Sequence, residues 1–363
     1  MSVMCAGQTK AGNQCSKKVK TPETHCHLHR ENKEVQVKEK KIAPPLVITK
    51  KEYKVREFDL THLNIWTWNI NSIRNKIELV NDLLVKHNID ILLLTETKIT
   101  AKLESDLSFV AGYKVIWNSN KNSYHHGIAF VYRQELPIEV LNTILPVSQN
   151  LTEKIVNNDP VDFVKQSKQN ALDNNSKNYA IIKKYEDNID TDIVKAHNTE
   201  GRILVIKCYD IVIVGTYVPN AGVDRKEPLK RLAYRTQAWD RDIYHLLLQH
   251  EKVIWVGDLN VTIYDNDLLN VKANIAGTTV EERDNINRFL RDNNWVDTWQ
   301  QHNPDIKDCW ARATWGPDST FPLRLDYVLC SPNLKDQIVY SINDQLHEGS
   351  DHIPMGTKFK ISI

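Results

Sequence analysis

Polar side chains recur in this sequence at the points where apolar segments end. Four apolar runs each finish in residues that can bind a metal ion or move a proton. These residues are Asn69 and Asn71, then Glu96, then Tyr217 and Asn220, then Asp258 and Asn260. A single Asn or Asp after a strand is usually a turn former. Four such ends in succession, followed by Asp326 and by the pair Asp351-His352, favour a shared site instead.

The types of these residues indicate metal-assisted hydrolysis. Glu96, Asn71 and Asp351 offer hard oxygen ligands with no thiolate nearby, which favours Mg²⁺ or Mn²⁺. Asp258 and Asn260 lie two positions apart, so their side chains can point the same way. One of them could orient or deprotonate a water molecule while the other holds that water or a phosphate oxygen.

The other candidates fit the same reaction. His352 could donate to a phosphoryl oxygen, with Asp326 fixing its tautomer, and Tyr217 could assist the leaving oxygen. These groups suit in-line attack of water on a phosphodiester, which needs a metal, an aligned water and charge neutralisation. The sequence contains neither a G-x-S-x-G nor a G-x-x-x-x-G-K motif, which excludes the serine hydrolase and P-loop classes.

The segments that must position these residues alternate between strand and helix patterns. Helices are predicted over "IRNKIELVNDLLVKH", over residues 229–248, and from the capping box of Thr279 and Glu282. Strands are predicted in "LNIWTWNI", "IDILLLTE", "YKVIWN", "GIAFVYR", "RILVIKCYDIVIVGTYVP" (a hairpin), "KVIWVGDLN", "CWARATW", "RLDYVLCS", "QIVYSI" and "GTKFKISI". This mixture predicts one α/β domain over residues 61–363, with two sheets packed together.

Three of the six cysteines lie near the N-terminus, in the pattern C-x9-C-x10-C-x2-H. The residues are Cys5, Cys15, Cys26 and His29. Three thiolates and one imidazole suit tetrahedral zinc, and so short a segment has too little core to fold without such a staple. Residues 1–30 are therefore predicted to bind structural Zn²⁺, with His25 and His27 as competing ligands. A thiol-bearing tail without fixed structure is the alternative.

Charge is unevenly distributed along the chain. Residues 1–56 hold 13 Lys and Arg against 5 acids, whereas the remainder holds 34 against 41. Such a tail either meets an anionic partner or is a solvated linker. Residues 31–60 are interpreted as a charged linker, and the Asn/Lys-rich residues 146–198 as a surface insertion in the domain.

Hydropathy argues against a membrane protein. No apolar run approaches the roughly 20 residues that a membrane span needs, and the N-terminus lacks the apolar core of a signal peptide. The cysteines form no disulfide-like framework. A soluble intracellular protein is therefore expected, and not a secreted one.

Several motifs, in this order, carry a family resemblance. They are "WNINSIRNK", "LLLTETK", "EGRILVIKCYDIVIVGTYVPNAG", "VIWVGDLNVT", "NIAGTTVEER", "RLDYVL" and "GSDHIP". Together they resemble the exonuclease III family of apurinic/apyrimidinic (AP) endonucleases, within the endonuclease/exonuclease/phosphatase superfamily. "GDLN" and "SDH" mark only the superfamily, whereas "TYVPNAG" with "RLDYVL" is more specific to the DNA-repair branch. The resemblance covers Leu63 to Ile363 apart from the insertion.

The resemblance implies a fold and a set of roles. The fold is a four-layered α/β sandwich, in which two packed β-sheets are flanked by helices. Asn71, Glu96 and Asp351 would bind the metal with support from Asn69. The remaining matches are Asp258 as the water-activating residue, Asn260 beside it on the phosphate, Tyr217 and Asn220 of the "YVPN" motif, and the pair Asp326 and His352.

The implied function is that of an AP endonuclease of base-excision repair. It would cut double-stranded DNA 5′ to an abasic site and leave a 3′-hydroxyl, with 3′→5′ exonuclease or 3′-phosphodiesterase activity as a possible accessory. A monomer is expected, located wherever DNA is kept, whether nucleus, cytoplasm or viral replication site. A less selective nuclease or phosphoesterase of the same superfamily is the alternative, and a binding protein without activity is a third interpretation.

Some positions depart from the family pattern. Asn71 stands where animal members carry Asp, although bacterial members also show Asn. Thr314 and Leu323 occupy places where some relatives put aromatic residues that line the abasic pocket. Trp315 and Phe321 are near enough in sequence to compensate, and Trp315 is the candidate for substrate contact.

Overall fold

The structure, a computed structural model, describes most of the chain. The described residues are 2–4, 18–20, 51–121, 123–145, 198–222, 231–232, 234–269, 275–316 and 319–361. The predicted zinc ligands (Cys5, Cys15, Cys26, His29), most of the linker and nearly all of the 146–198 insertion lie outside them. The chain divides into two units, Met1–Glu52 and Tyr53–Ile363. In the first unit, β1 (Ser2–Met4) pairs with β2 (Lys18–Lys20) in antiparallel fashion.

The first large sheet of the second unit has six strands. They are β3 (His62–Asn69), β4 (Ile91–Thr95), β5 (Tyr113–Asn118), β6 (Ile128–Arg133), β13 (Ile338–Asn343) and β14 (Met355–Lys360). Their order is β13-β14-β3-β4-β6-β5. Among these pairs β3 and β4 run parallel and the others antiparallel. The carboxyl ends of β3 and β4 therefore meet at one edge of the sheet.

The second large sheet repeats this arrangement. Its strands are β7 (Ile138–Asn142), β8 (Ile203–Cys208), β9 (Ile211–Tyr217), β10 (Val253–Asp258), β11 (Val296–Asp297) and β12 (Asp326–Cys330). Their order is β11-β12-β10-β9-β8-β7, with β9 and β10 as the parallel pair. Each sheet thus contributes one parallel pair whose last residues are polar.

Helices form the connections between the parallel strands and also lie between several of the later strands. They are α1 (Ile77–His87), α2 (Ala101–Glu104), a π-helical turn (Arg235–Trp239) that continues into α3 (Asp240–Leu247), α4 (Val280–Asp292), α5 (Thr298–His302) and α6 (Cys309–Arg312). Short 3₁₀ turns span Asp265–Asp267 and Pro332–Gln337. The hydroxyl of Thr279 accepts a hydrogen bond from the Glu282 amide and so caps the N-terminus of α4. The helix therefore begins where the capping box predicts. No helix in the described part of the chain combines the length and apolarity that a membrane crossing requires.

Apolar side chains sort into three main layers of packing. One cluster lies between the two sheets and includes Leu93 and Phe130 from the first with Ile213 and Val256 from the second. A second cluster packs α1 on the outer face of the first sheet. A third packs α3 and α4 on the outer face of the second. The result is helix, sheet, sheet, helix, which confirms the predicted four-layered sandwich.

One predicted element is wrong. The alternation in "CWARATW" predicts a strand, but residues Cys309–Arg312 form the short helix α6. The Asp308 carboxylate accepts a hydrogen bond from the Trp310 amide and caps that helix. The chain returns to extended structure only at Trp315, which makes isolated bridges with Leu323 and His352. The apolar alternation of this segment is therefore outweighed by a local capping residue.

Candidate active site

The parallel strands of the two sheets deliver their last side chains to one place. Asn69 lies opposite Thr95 in the β3–β4 pair, and Tyr217 lies opposite Asp258 in the β9–β10 pair. The Asn69 side chain joins the two sheets, because its Nδ2 donates to Glu96 Oε1 at 3.0 Å and to Asp258 Oδ2 at 2.9 Å. Polar residues from both sheets therefore form one site.

Three of the site residues have a left-handed backbone. The φ angles are +46° at Asn71, +52° at Glu96 and +49° at Asn260. Asparagine adopts this region with little strain, whereas a glutamate rarely does. Strain of this kind persists only where the surrounding structure fixes it, and it is concentrated at functional sites.

A first group of oxygen ligands surrounds Glu96. Asn71 Nδ2 donates to Asp351 Oδ1 at 2.9 Å, and the Asn71 amide donates to Asn69 Oδ1 at 3.1 Å. The ammonium of Lys98 lies 2.7 Å from Glu96 Oε2 and also donates to Asn71 Oδ1. The Lys98 ammonium thus lies between a carboxylate oxygen of Glu96 and the amide oxygen of Asn71. Oxygen atoms of these two kinds are the ligands that a hard cation prefers.

Glu96 is held in its charged form. Burial raises its pKa, but hydrogen bonds from Asn69, Lys98 and Tyr217 outweigh burial and lower the pKa of Glu96 to about 2. The Tyr217 hydroxyl donates to Glu96 Oε1 at 2.7 Å. Burial and the charge of Glu96 raise the pKa of Tyr217 well above its usual value. Glu96 is therefore an anion and Tyr217 keeps its proton across the physiological range.

A second group contains Asp258, Asp326 and His352. One ligand atom from each of these buried residues lies within 4.8 Å of the others. His352 Nδ1 is 2.7 Å from Asp326 Oδ2, as the predicted Asp-His pair requires. Burial, together with the charge of Asp326, raises the pKa of Asp258 to about 7. Burial lowers the pKa of His352, but the charge and hydrogen bond of Asp326 outweigh it and raise that pKa to about 9.

These values give the second group an acid and a base near neutral pH. Asp258 can accept a proton and His352 can donate one in the same pH interval. The carboxylate of Asp258 is further oriented by the Asn260 amide, which donates to its Oδ1 at 2.9 Å. Asn260 itself donates through Nδ2 to the Val218 carbonyl at 2.9 Å. Asn220 lies beside it, with its Nδ2 3.4 Å from Asn260 Oδ1.

A short turn presents Asp351 and His352 together. The Ser350 hydroxyl donates to the Asn69 carbonyl at 2.6 Å and accepts from the His352 amide at 3.2 Å. The indole of Trp68 donates to the His352 carbonyl at 3.0 Å. Gly349 precedes the turn with a φ of +117°. The turn is fastened to β3, so Asp351 faces the Glu96 group while His352 faces Asp326.

An apolar wall adjoins the second group. Trp315 is partly buried against the aliphatic cluster of Leu268, Leu323 and Leu325. Thr314 is buried at 1% exposure, whereas Phe321 is 52% exposed. Every sequence-predicted site residue from 61 onward thus lies in the two groups or on this wall.

Sequence reasoning missed three residues around the site. Lys98 follows Glu96 in "TETK", and that proximity was the available signal. Arg202 lies 4.7 Å over the Tyr217 ring and donates to the Tyr217 carbonyl at 3.2 Å. The Arg202 Nη2 also lies 3.1 Å from His126 Nδ1. Arg202 and His126 are distant from Tyr217 in the sequence. The sequence therefore gives no signal of these contacts.

Comparison with known proteins agrees with this architecture. Residues 66–352 match the family described as the endonuclease/exonuclease/phosphatase family. A DNA-(apurinic or apyrimidinic site) endonuclease of Dictyostelium discoideum is 36% identical over 172 residues, covering 45% of this chain and 46% of that protein. An exodeoxyribonuclease of Bacillus subtilis is 27% identical, covering 81% of this chain and 98% of that protein. The chain therefore spans less than half of the first relative and nearly all of the second.

Solved structures show the same fold. The crystal structure of an AP endonuclease from Leishmania major superposes with a TM-score of 0.61 at 20% identity, covering 84% of this chain and 90% of that chain. An AP endonuclease from Archaeoglobus fulgidus gives a TM-score of 0.57 at 20% identity, covering 82% of this chain and all of that chain.

Proposed function

Since the chain belongs to the endonuclease/exonuclease/phosphatase family, we propose that it is an AP endonuclease that hydrolyses the phosphodiester 5′ to an abasic site and leaves a 3′-hydroxyl. The observation that carries the proposal is the Asn69 side chain, which bonds both Glu96 and Asp258. These two hydrogen bonds connect the oxygen-ligand group around Glu96 to the acid–base group that contains Asp258. A phosphodiester hydrolase needs both groups at one phosphorus atom.

Glu96, Asn71 and Asp351 would hold Mg²⁺ or Mn²⁺, with Asn69 orienting Glu96. Their donor atoms are carboxylate and amide oxygens, and the Lys98 ammonium already bridges two of them. When bound, the ion neutralises charge on the phosphate oxygens and stabilises the leaving oxygen. Asn71 in place of an aspartate leaves the set two carboxylates, which suffices for a Mg²⁺ that keeps several water ligands.

The residues of this chain supply the proton transfers. Asp258 takes the proton of the attacking water, and Asn260 holds that water or a phosphate oxygen. His352, charged and fixed by Asp326, donates a hydrogen bond to a phosphoryl oxygen. Tyr217 keeps its proton and assists the leaving oxygen as the bond to phosphorus breaks.

An abasic nucleotide suits this site better than an intact one. It has lost its stacking and pairing, so extruding it from the duplex costs less free energy. Trp315 and the leucine cluster beside it form an apolar wall for the sugar. The names of the Dictyostelium relative and of the Leishmania structure support the same substrate. The enzyme would act as a monomer, and its basic N-terminal segment would add affinity for DNA at any sequence.

A less selective nuclease or 3′-processing enzyme is the second candidate. The wall beside the site is mainly aliphatic, and the chain also resembles structures of a 3′-5′ exonuclease and a 3′ phosphatase from Neisseria, with TM-scores of 0.56 and 0.57. Such an enzyme would cut intact DNA ends, or remove 3′ blocking groups, about as readily as it cuts abasic sites.

One experiment separates these candidates. A labelled duplex with a single tetrahydrofuran abasic analogue and the same duplex intact are incubated with Mg²⁺ or EDTA, and with the wild-type, Asp258→Asn and Glu96→Gln proteins. A single Mg²⁺-dependent nick 5′ to the analogue, lost in both variants, is the expected result. Equal cutting of the two duplexes would favour the second candidate. No cutting of either by the wild-type protein would contradict a nuclease function and favour a binding protein.

A further inference from the structure

Thr314 has an unusual set of hydrogen bonds beside the site. It is buried at 1% exposure. Its hydroxyl oxygen accepts from two consecutive amides, those of Leu325 and Asp326, each at 2.9 Å. Its carbonyl accepts from the Ile353 amide at 2.7 Å. A single residue is therefore bonded to the backbone of Asp326 and to the residue that follows His352.

The fold explains why Asp326 needs such a partner. Asp326 is the first residue of β12, and β11 pairs with that strand only opposite Leu329 and Cys330. The strand on that side therefore ends before it reaches the site, and a buried amide without a partner is costly. The Thr314 hydroxyl takes the place of the strand that is absent there among the described residues.

The carboxylate of Asp326 has little else to fix it. Its Oδ2 bonds His352, but its Oδ1 is buried and has no hydrogen-bond partner within the described part of the chain. The direction of that side chain is thus set by its backbone, and the backbone is held by Thr314.

We propose that Thr314 is a positioning residue, whose hydroxyl and carbonyl hold Asp326 and His352 at the distance the hydrolysis requires. The proposal rests on the proposed function for its effect on rate, and on geometry alone for its effect on structure. Loss of the hydroxyl would let the start of β12 move relative to the turn that carries His352. A misplacement of about 1 Å in a catalytic group lowers kcat by about 100-fold.

The test measures three variants of the full chain over a range of abasic-duplex concentrations up to saturation, which gives kcat and KM separately. Thr314→Val keeps the shape of the side chain and removes the acceptor, so kcat is expected to fall by about 100-fold with KM nearly unchanged. Thr314→Ser restores the acceptor and is expected to restore kcat. The control is Thr236→Val, since the Thr236 hydroxyl is equally buried but donates within its own helical segment, to the Leu232 carbonyl at 2.9 Å. It is expected to lower stability without changing kcat.

A crystal structure of Thr314→Val gives a readout that does not depend on activity. The distance from Asp326 Oδ2 to His352 Nδ1, 2.7 Å here, is expected to lengthen beyond hydrogen-bond range. A wild-type protein that leaves abasic DNA uncut would refute the proposed function while leaving this distance to be measured.

Three results would overturn the proposal: an unmoved Asp326–His352 pair, a wild-type kcat in Thr314→Val, or a Ser variant as slow as the Val variant. Should Thr314→Val fail to fold, Thr314→Cys replaces it, because a thiol is a weak acceptor. The same fall in kcat is then expected, and a wild-type kcat would again overturn the proposal.

Discussion

The charge of one residue in this site changes the pKa of its neighbours. Asp326 is the clearest case, because its charge raises the pKa of Asp258 and also that of His352. The types and order of these residues were predictable from the strand-end pattern. The contact of Lys98 with Glu96 had a local signal, since the two residues stand two positions apart in "TETK". The contacts of Arg202 with Tyr217 and of Thr314 with Asp326 had none, because each joins segments that only tertiary packing brings together.

The shared charge of Asp326 predicts the pH dependence of cutting. Asp258 must lose its proton to act as a base, so kcat/KM should rise as pH increases through about 7. His352 must keep its proton, so kcat/KM should fall as pH increases through about 9. The profile is therefore a bell with its maximum between these limits, and its two limbs belong to the coupled group as a whole.

Substituting Asp326→Asn tests the origin of both limbs. The change removes the negative charge that raises both pKa values, so the residual activity should show both limbs at lower pH. Steady-state rates across pH 5 to 10, roughly the interval in which such groups titrate, would measure this. Limbs that stay in place would show that the charge of Asp326 does not set the pKa values of Asp258 and His352.

Tyr217 supplies a second prediction for a single side chain. Tyr217→Phe removes the hydroxyl that assists the leaving oxygen in the proposed mechanism, and with it the hydrogen bond to Glu96. The value of kcat should then fall by about 10²- to 10⁴-fold, the range of general acid catalysis. The matched control is Tyr113→Phe, whose hydroxyl donates to the Ile89 carbonyl at 2.6 Å away from the site. That change should cost about 1 kcal/mol of stability and leave kcat unaltered. A fall in kcat of equal size in both variants would argue against the role of Tyr217.

The strands fix the site because each sheet contains one parallel pair, and the carboxyl ends of both pairs lie at the site. These strands were largely predictable, since they are short, buried runs of branched and aromatic residues bounded by polar turns. The sheet order was not, because it depends on which buried faces pair. "CWARATW" failed for a local reason, since the Asp308 cap favours a helical turn over the strand that its alternation predicts.

The end of β10 gives a prediction about the strand that carries Asp258. Gly257 has a φ of +144°, and a Cβ there would lie 1.9 Å from the Thr216 carbonyl oxygen. Gly257→Ala should therefore lower the free energy of unfolding by at least about 2 kcal/mol, from backbone strain and overpacking together. Urea denaturation measures the loss.

Gly112 provides the control for backbone strain alone. Its φ is +94° and no atom lies within 4 Å of an added Cβ. Gly112→Ala should cost about 1 kcal/mol, the lower end for strain without a clash. Equal losses at the two positions would mean that the clash with Thr216 adds nothing.

At the scale of the whole molecule, the chain divides between Glu52 and Tyr53, and most of the basic N-terminal residues lie before that boundary. Tyr53 and Val55 pack against the cluster beneath α1, and the Tyr53 hydroxyl is 3.3 Å from the Glu78 carbonyl. A truncation that tests the segment should therefore end at Glu52 and retain these two residues. The sequence alone predicts a boundary near residue 60, since it cannot show that the chain before β3 packs on the domain.

Removal of residues 1–52 should weaken DNA binding without abolishing cutting. These residues hold 11 Lys and Arg against 5 acids. Each DNA phosphate that the shortened protein no longer neutralises makes the slope of log K against log salt shallower by about 0.9. Titrations of intact duplex at several salt concentrations would measure the slope, with rates at saturating DNA as the control. An unchanged slope would show that the segment does not meet DNA.

The same segment carries the zinc prediction. The full chain should contain one equivalent of zinc by elemental analysis, and the truncated chain none. Replacing Cys15 and Cys26 with serine in the full chain should also remove it, because Cys thiolates are the strongest ligands offered. Zinc retained after both changes would place the metal elsewhere in the molecule.

The contact between β3 and the turn that carries His352 joins an early part of the chain to a late one. Trp68 on β3 and His352 are 284 residues apart, yet the indole of one bonds the carbonyl of the other. A ribosome delivers β3 first and β14 last among the strands of the two sheets. A nascent chain therefore holds Glu96 and Asp258 long before it holds Asp351 and His352. The two groups of the proposed site can therefore be completed only after the last strand, β14, has been made and pairs with β3.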